Sequence, residues 1–379
     1  MRQVSRFLGV LSTAALVAAS TAALAQDRDG DAYIVTPLVS NLPKHAAMQD
    51  PVLENAWGIA FTPGGSPFWV NDNGTGCSTL YNGAGDKIGL QVSIPLPGNV
   101  IPVGTCQPTN PNNPTPAAPT GIIWNPLSSF LVPGTKTPAL FIFATEDGTL
   151  SAWAGGLNPA DNAVLAVDNS SSGAVYKGLV FGLNAKGGFL FATNFHAGTV
   201  DVFGPNGADG MFTKVTLDGH FTDSEIPPGY APFGIANIDG DLFVSYAKQN
   251  AEKHDDVAGA GHGFVDVFDT DGHLLKRFAA RGALNSPWGI TRASFNFGRY
   301  SGLVLVGNFG DGHINVFDSA GRWVDFIEDV HGRPVVIDGL WSLTLGGGLG
   351  SSSDTVFFSA GPNGESNGLF GTVTPAPSH

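Results

Sequence analysis

The chain has 379 residues and a formal net charge of −14, a balance that repels phosphate backbones, so no nucleic acid is an expected partner. Only 13% of residues are charged, while 52 are Gly and 26 are Pro, which suits many short strands joined by tight turns and excludes a largely helical protein.

Arg2 and Arg6, an apolar stretch over residues 7–19, and Ala23-Leu24-Ala25 form the three parts of a secretory signal. Residues 1–25 are therefore expected to be a leader cleaved after Ala25, with the remainder, 26–379, a single domain in the periplasm or outside the cell. No later run approaches the ~20 consecutive apolar residues of a membrane span, and none is expected.

After a first predicted strand at residues 33–39, one phrase recurs at intervals of about 55–60 residues. It reads Trp57-Gly58-Ile59, Thr120-Gly121-Ile122, Lys177-Gly178-Leu179, Phe233-Gly234-Ile235 and Trp288-Gly289-Ile290, with Gly339-Leu340 as a weaker sixth copy. Each copy is followed by an apolar run such as Phe68-Trp69-Val70 or Leu140-Phe141-Ile142-Phe143, the pattern of a strand buried on both faces. A third segment alternates, as in Thr199-Val200-Asp201-Val202-Phe203 and Phe264-Val265-Asp266-Val267-Phe268, and ends in turn chemistry such as Gly204-Pro205-Asn206-Gly207. A fourth, more polar strand follows. Four antiparallel strands per unit and six units predict an all-β, six-bladed β-propeller. The sixth unit lacks a fourth strand, so residues 33–39 are expected to supply it and close the ring, removing two exposed edges.

The phrases Asn55-Ala56-Trp57-Gly58-Ile59, Ala192-Thr193-Asn194-Phe195, Phe264-Val265-Asp266-Val267-Phe268 and Ser286-Pro287-Trp288-Gly289-Ile290 resemble an uncharacterised family of exported bacterial propellers, some of which carry a C-terminal PEP-CTERM sorting signal that this sequence lacks. More distantly the units are similar to NHL-type repeats and to calcium-dependent lactonase propellers. The resemblance implies the fold and an exported location, and carries no established activity.

In a propeller, the loops joining second to third strands share a face with the connections between blades, around the channel. Asp72, Glu146, Asn194 and Asn308 begin such loops in four of the six predicted blades. As oxygen ligands they would suit a hard cation such as Ca2+, and as strand-end residues they would equally suit turn capping. Asn55, Trp57, Trp288, His196, Tyr246 and Asp311 are further ligand-binding candidates beside them, the tryptophans serving either a planar ligand or core packing. A polar loop over residues 247–263 holds His254, Asp255 and His262, which fit a metal, a general base or a solvated lid. Cys77 and Cys106, the latter in a Pro-rich insertion over residues 98–119, are expected to form a disulfide.

No phosphate-binding Gly-x-x-x-x-Gly-Lys loop or Cys-x-x-Cys pair occurs, so nucleotide and dithiol chemistry are not indicated. Two function classes follow. The first is a scaffold that binds a small molecule, glycan or protein at the channel face. The second is a Ca2+-dependent hydrolase resembling the lactonase propellers.

Overall fold

Alternation and turn chemistry produce four strands in each repeat, as a computed structural model describing residues 32–205 and 211–377 shows. The expected leader over residues 1–25 lies outside the described residues. Counting outward from the channel, blade 1 contains Ala56–Ala60, Phe68–Asp72, Cys77–Tyr81 and Lys87–Ser93. Blade 2 contains Pro119–Trp124, Phe141–Thr145, Thr149–Trp153 and Val164–Asp168, and blade 3 contains Tyr176–Asn184, Gly187–Asn194, Thr199–Gly204 and Thr213–Val215. Blade 4 contains Tyr230–Ile238, Asp241–Lys248, Gly263–Phe268 and Leu274–Ala280, and blade 5 contains Pro287–Arg292, Val304–Asn308, Ile314–Phe317 and Trp323–Phe326. Second strands are buried on both faces, whereas the outer strands carry the charged and exposed positions. The protein is a six-bladed β-propeller, and among the described residues no helix is long and apolar enough to cross a membrane.

The recurring glycine has a steric cause. Inner strands of adjacent blades lie backbone against backbone, so a Cβ on Gly58 would stand 2.5 Å from the Thr120 carbonyl oxygen of blade 2. Gly121, Gly234 and Gly289 meet the next blade's main chain in the same way. Every inner strand also carries a bulge at this point, between Ala56 and Ile59 in blade 1 and between Leu340 and Leu343 in blade 6. That register corrects the sixth copy of the phrase. It is Trp341-Ser342-Leu343, not Gly339-Leu340, with serine at the glycine position.

Blade 6 is completed as expected from both ends of the chain. Leu340–Leu345, Val356–Ala360 and Leu369–Pro375 are joined by Tyr33–Ser40, which pairs antiparallel with Leu369–Pro375 from Tyr33↔Pro375 to Ser40↔Leu369. Tyr33 anchors this strand on blade 5. Its hydroxyl donates to the Phe297 carbonyl at 2.8 Å and accepts from the Tyr300 amide at 3.2 Å, and its ring lies 5.6 Å from that of Tyr300. Cys77 and Cys106 are bonded, tying the third strand of blade 1 to the Pro-rich insertion.

The third strands bury charge at equivalent positions. Asp201 in blade 3 is met by Lys214 from the outer strand at 2.9 Å. Asp266 in blade 4 is met by the outer-strand Arg277, which also binds Asp223. With two carboxylates on one guanidinium, burial pushes Asp266 up to about 7, opposed by Arg277 and reinforced by Asp223.

Two predictions follow from these contacts. Tyr33→Ala removes a buried ring and two hydrogen bonds at the closure and should lower unfolding free energy by about 3 kcal/mol; a urea midpoint equal to wild type would refute the anchoring role. For Asp266, the folded value lies above the ordinary carboxylate range, so its stabilisation is full below about pH 4 and is lost as pH rises through about 7. Denaturation series from pH 4 to 8 should therefore show a decline that Asp266→Asn flattens, and equal slopes in both proteins would exclude this assignment.

Candidate functional site

The bulge in each inner strand presents one side chain at the channel. Around the ring these are Trp57, Thr120, Lys177, Phe233, Trp288 and Trp341. The aromatic members fill the channel and pack together in one buried cluster. Trp57 stacks on Trp341 at 3.5 Å, Trp288 stands edge-on to both at 5.9 Å, and Phe309 covers Trp341 at 3.9 Å. On the far side of this plug, the inner strands border a cavity of about 240 Å³ lined by Ile59, Ile122, Leu179, Ile235, Ile290 and Leu343 together with the polar Asn237, Thr291, Ser342 and Thr344.

Lys177 is the exception in the ring. Its ammonium sits 5.2 Å from the centre of the Trp57 ring and 5.8 Å from that of Phe195, at the face from which the second-to-third loops rise. It is paired with Glu146 of blade 2 and lies 3.5 Å from Asp255 of the blade 4 loop. A polar chain continues from Glu146: Asn73 donates to it at 2.9 Å, Asn55 donates to Asn73 at 3.2 Å and to Glu365 at 2.7 Å, and the Trp341 indole donates to Asn55 at 3.0 Å. Blades 1, 2, 3, 4 and 6 thus all contribute to one channel mouth.

The charges are coupled. Burial works against the Lys177 ammonium, but Glu146, Asp255 and Glu365 outweigh it and hold its pKa above the ordinary value. Burial raises Glu365; the Asn55 hydrogen bond eases it and Glu146 pushes it further up. His254 Nδ1 donates to the Asp255 carboxylate at 2.8 Å, which raises the imidazole and lowers the carboxyl. One ligand atom each from Glu146, His254 and Asp255 lies within 4.8 Å of the others, a mixed oxygen and nitrogen set open to solvent at the His254 and Asp255 end.

The structure brings together only part of the expected set. Asn55, Trp57, Glu146, Trp288, His254 and Asp255 belong to the mouth or its floor. Asn194 caps blade 3, accepting from the Val175 and Ala197 amides and donating to Asp201. Asn308 does the same in blade 5 with the Asn285 amide, the Ala283 carbonyl and Asp311. Both are turn-capping residues with their bonds spent within their own blades, as is Asp311, which accepts from Asn285 and Asn308. Asp72 is buried within blade 1, and Tyr246 is buried in blade 4 with Phe264 and Phe268. His262 is hydrogen-bonded to the Val257 carbonyl, and His196 packs beside Gly173. Of Asp72, Glu146, Asn194 and Asn308, only Glu146 lies at the mouth, where His254 and Asp255 stand beside it around Lys177. Lys177, Asn73 and Glu365 were not among the expected residues; a lysine at an otherwise mostly aromatic repeat position was the available signal for the first.

These features define a propeller with a plugged channel and a charged mouth. No family model matches the chain. It is 33% identical over 340 residues to the uncharacterised protein R648 of Acanthamoeba polyphaga mimivirus, covering 89% of this chain and 78% of that protein, and 31% identical over 347 residues to protein L690 of the same virus, covering 89% and 85%. The chain belongs to the same family as these uncharacterised proteins. They are viral, so the expected bacterial, exported family finds no support in them. A gluconolactonase from Xanthomonas campestris is similar at 12% identity and a TM-score of 0.45, covering 85% and 86% of the two chains, and a streptogramin B lyase at 11% and 0.46, covering 92% and 99%.

Lys177→Met should leave Glu146 and Glu365 without their cation and cost about 3 kcal/mol at neutral pH, the usual penalty for breaking a buried pair. Because the orphaned carboxyls can take up protons, the loss should shrink toward pH 4.5 and be partly restored by adding Glu146→Gln. A destabilisation independent of pH would assign Lys177 to packing alone.

Proposed function

We propose that the protein is a binding scaffold that works from its channel mouth, and that its ligand is a cation. The observation that carries this reading is the convergence of Glu146, Asp255 and Glu365, from three blades, about the single ammonium of Lys177. Negative charge is in excess there. It is walled by the faces of Trp57 and Phe195, which favour a positive group through the ring quadrupole as well. The loop bearing His254 and Asp255 roofs the site, pinned at its base by the Gln249 amide on the Phe195 carbonyl at 2.5 Å. Export through a leader cleaved after Ala25 belongs to the same proposal and is supported by the disulfide, since such bonds persist in oxidising compartments.

A second reading, metal-dependent hydrolysis, is favoured by the Glu146, His254 and Asp255 set, whose donors suit a borderline ion able to activate water better than the all-oxygen Ca2+ site first expected.

Isothermal titration of metal-free protein with Ca2+, Mn2+, Zn2+ and 1,4-diaminobutane separates these readings. Binding of at least one cation is expected, weakened at least tenfold, about 1.4 kcal/mol, by Glu146→Gln. Loss of metal binding together with turnover of a lactone or ester panel would favour the hydrolase, and binding without turnover the scaffold. If none of the four cations binds, both readings fall.

A further inference from the structure

Away from the channel, blade 1 handles buried charge differently from blades 3 and 4. In blades 3 and 4 a third-strand aspartate, Asp201 or Asp266, is balanced by a basic residue from the outer strand of the same blade. The registers Ala192↔Asp201, Val244↔Asp266 and Val70↔Thr79 put Thr79 at the same place in blade 1. Its carboxylate counterpart is Asp72, at the end of the second strand. The outer-strand cation, Lys87, is not directed to it. Lys87 pairs with Asp50 at 2.7 Å, and Asp50 also accepts from the Tyr81 hydroxyl at 2.7 Å. Asp50 thus holds the ammonium, and Asp72 feels it only at a distance.

Asp72 and Thr79 are 0% exposed and Asp50 is 3% exposed. Neither oxygen of Asp72 has a hydrogen-bond partner, and neither does the Thr79 hydroxyl. Burial raises the Asp72 carboxyl well above its ordinary range, and the Thr79 hydroxyl, the hydrogen-bonding group that eases it, stands short of a well-formed bond. Because Asp72 pairs with Cys77, and Thr79 and Tyr81 follow at alternate positions, these groups share one face of the sheet. That face packs on blade 6, where Phe68 stacks on Phe357 at 4.3 Å and Tyr81 on Phe370 at 5.6 Å. Unpaired polar atoms in such surroundings are costly, and more so when charged. Three of them together, one a carboxyl with no base paired to it, call for a positive occupant, a cation or a proton.

We propose that blade 1 holds a buried structural cation, a hard oxygen-seeking ion of the Ca2+ class, taken by Asp72 and Thr79 with Asp50 behind them. Main-chain carbonyls and water complete such shells in oxygen sites generally. The site is separate from the channel mouth: its oxygens come from the second and third strands of blade 1 and from the segment preceding that blade. Its role is to bind blade 1 to blade 6, next to the strand that closes the ring. A proton on Asp72 is the competing occupant, and it predicts no dependence on metal.

The full chain carrying Glu146→Gln, which silences the mouth, should be unfolded and refolded either in EDTA or in Ca2+, then assayed for metal by mass spectrometry and for melting temperature. One Ca2+ per chain and a melting temperature several degrees higher after Ca2+ refolding are expected, with both effects absent when Asp72→Asn is added. Should Asp72→Asn fail to fold, Thr79→Val decides: it removes one oxygen at nearly constant shape and should weaken the Ca2+ response about tenfold. No retained metal with identical melting in EDTA and Ca2+, or a Thr79→Val response equal to its parent, overturns the cation and leaves the proton.

Discussion

Main chain pressed against main chain around a narrow channel is the constraint on which this molecule depends. Gly58, Gly121, Gly234 and Gly289 allow it, since a side chain at any of them would collide with the next inner strand. The bulge beside each glycine then rotates one residue per blade toward the axis. Radial symmetry therefore collects six side chains from distant parts of the sequence at one place. Five are spent on filling the channel or lining it, and the sixth, Lys177, carries charge into an otherwise apolar plug.

That single lysine organises the mouth. A buried ammonium requires partners, and Glu146 and Asp255 supply them from the two flanking blades. Asn73 and Asn55 satisfy the remaining acceptors and extend the network to Glu365 and the Trp341 indole. The aromatic plug and the carboxylates are thus parts of one arrangement: the rings exclude water, and in its absence each charge acts more strongly on the others.

Repeat spacing, alternation and glycine placement made the propeller and its closure legible in the sequence, because those features are local and periodic. The sixth phrase was misplaced by three residues because Ser342 stands where the others have glycine, and only the bulge register identifies it. The site was less legible. Equivalent loop positions imply equivalent height and radius for backbone atoms, but not the direction of a short side chain. Asn194 and Asn308 turn back to bond amides of their own blades, and Asp72 points into the sheet interface. Glu146 reaches the mouth because Lys177 draws it there. His254 and Asp255 lie in a loop with no repeat counterpart, so periodicity carried no information about where they would land.

Closing the ring with the first strand also sets the order in which the molecule can be completed. Tyr33–Ser40 leaves the ribosome ahead of every blade, yet its partner Leu369–Pro375 is made last, and the Ser40 hydroxyl that donates to the Gly368 carbonyl waits for a residue 328 positions away. Until then five blades are finished with one strand loose and two sheet edges bare, a long-range pairing of the kind that slows folding and exposes strands to the wrong neighbours. For a chain of this design, the interval between synthesis of blade 1 and arrival of the C-terminus is its period of greatest vulnerability to aggregation and proteolysis.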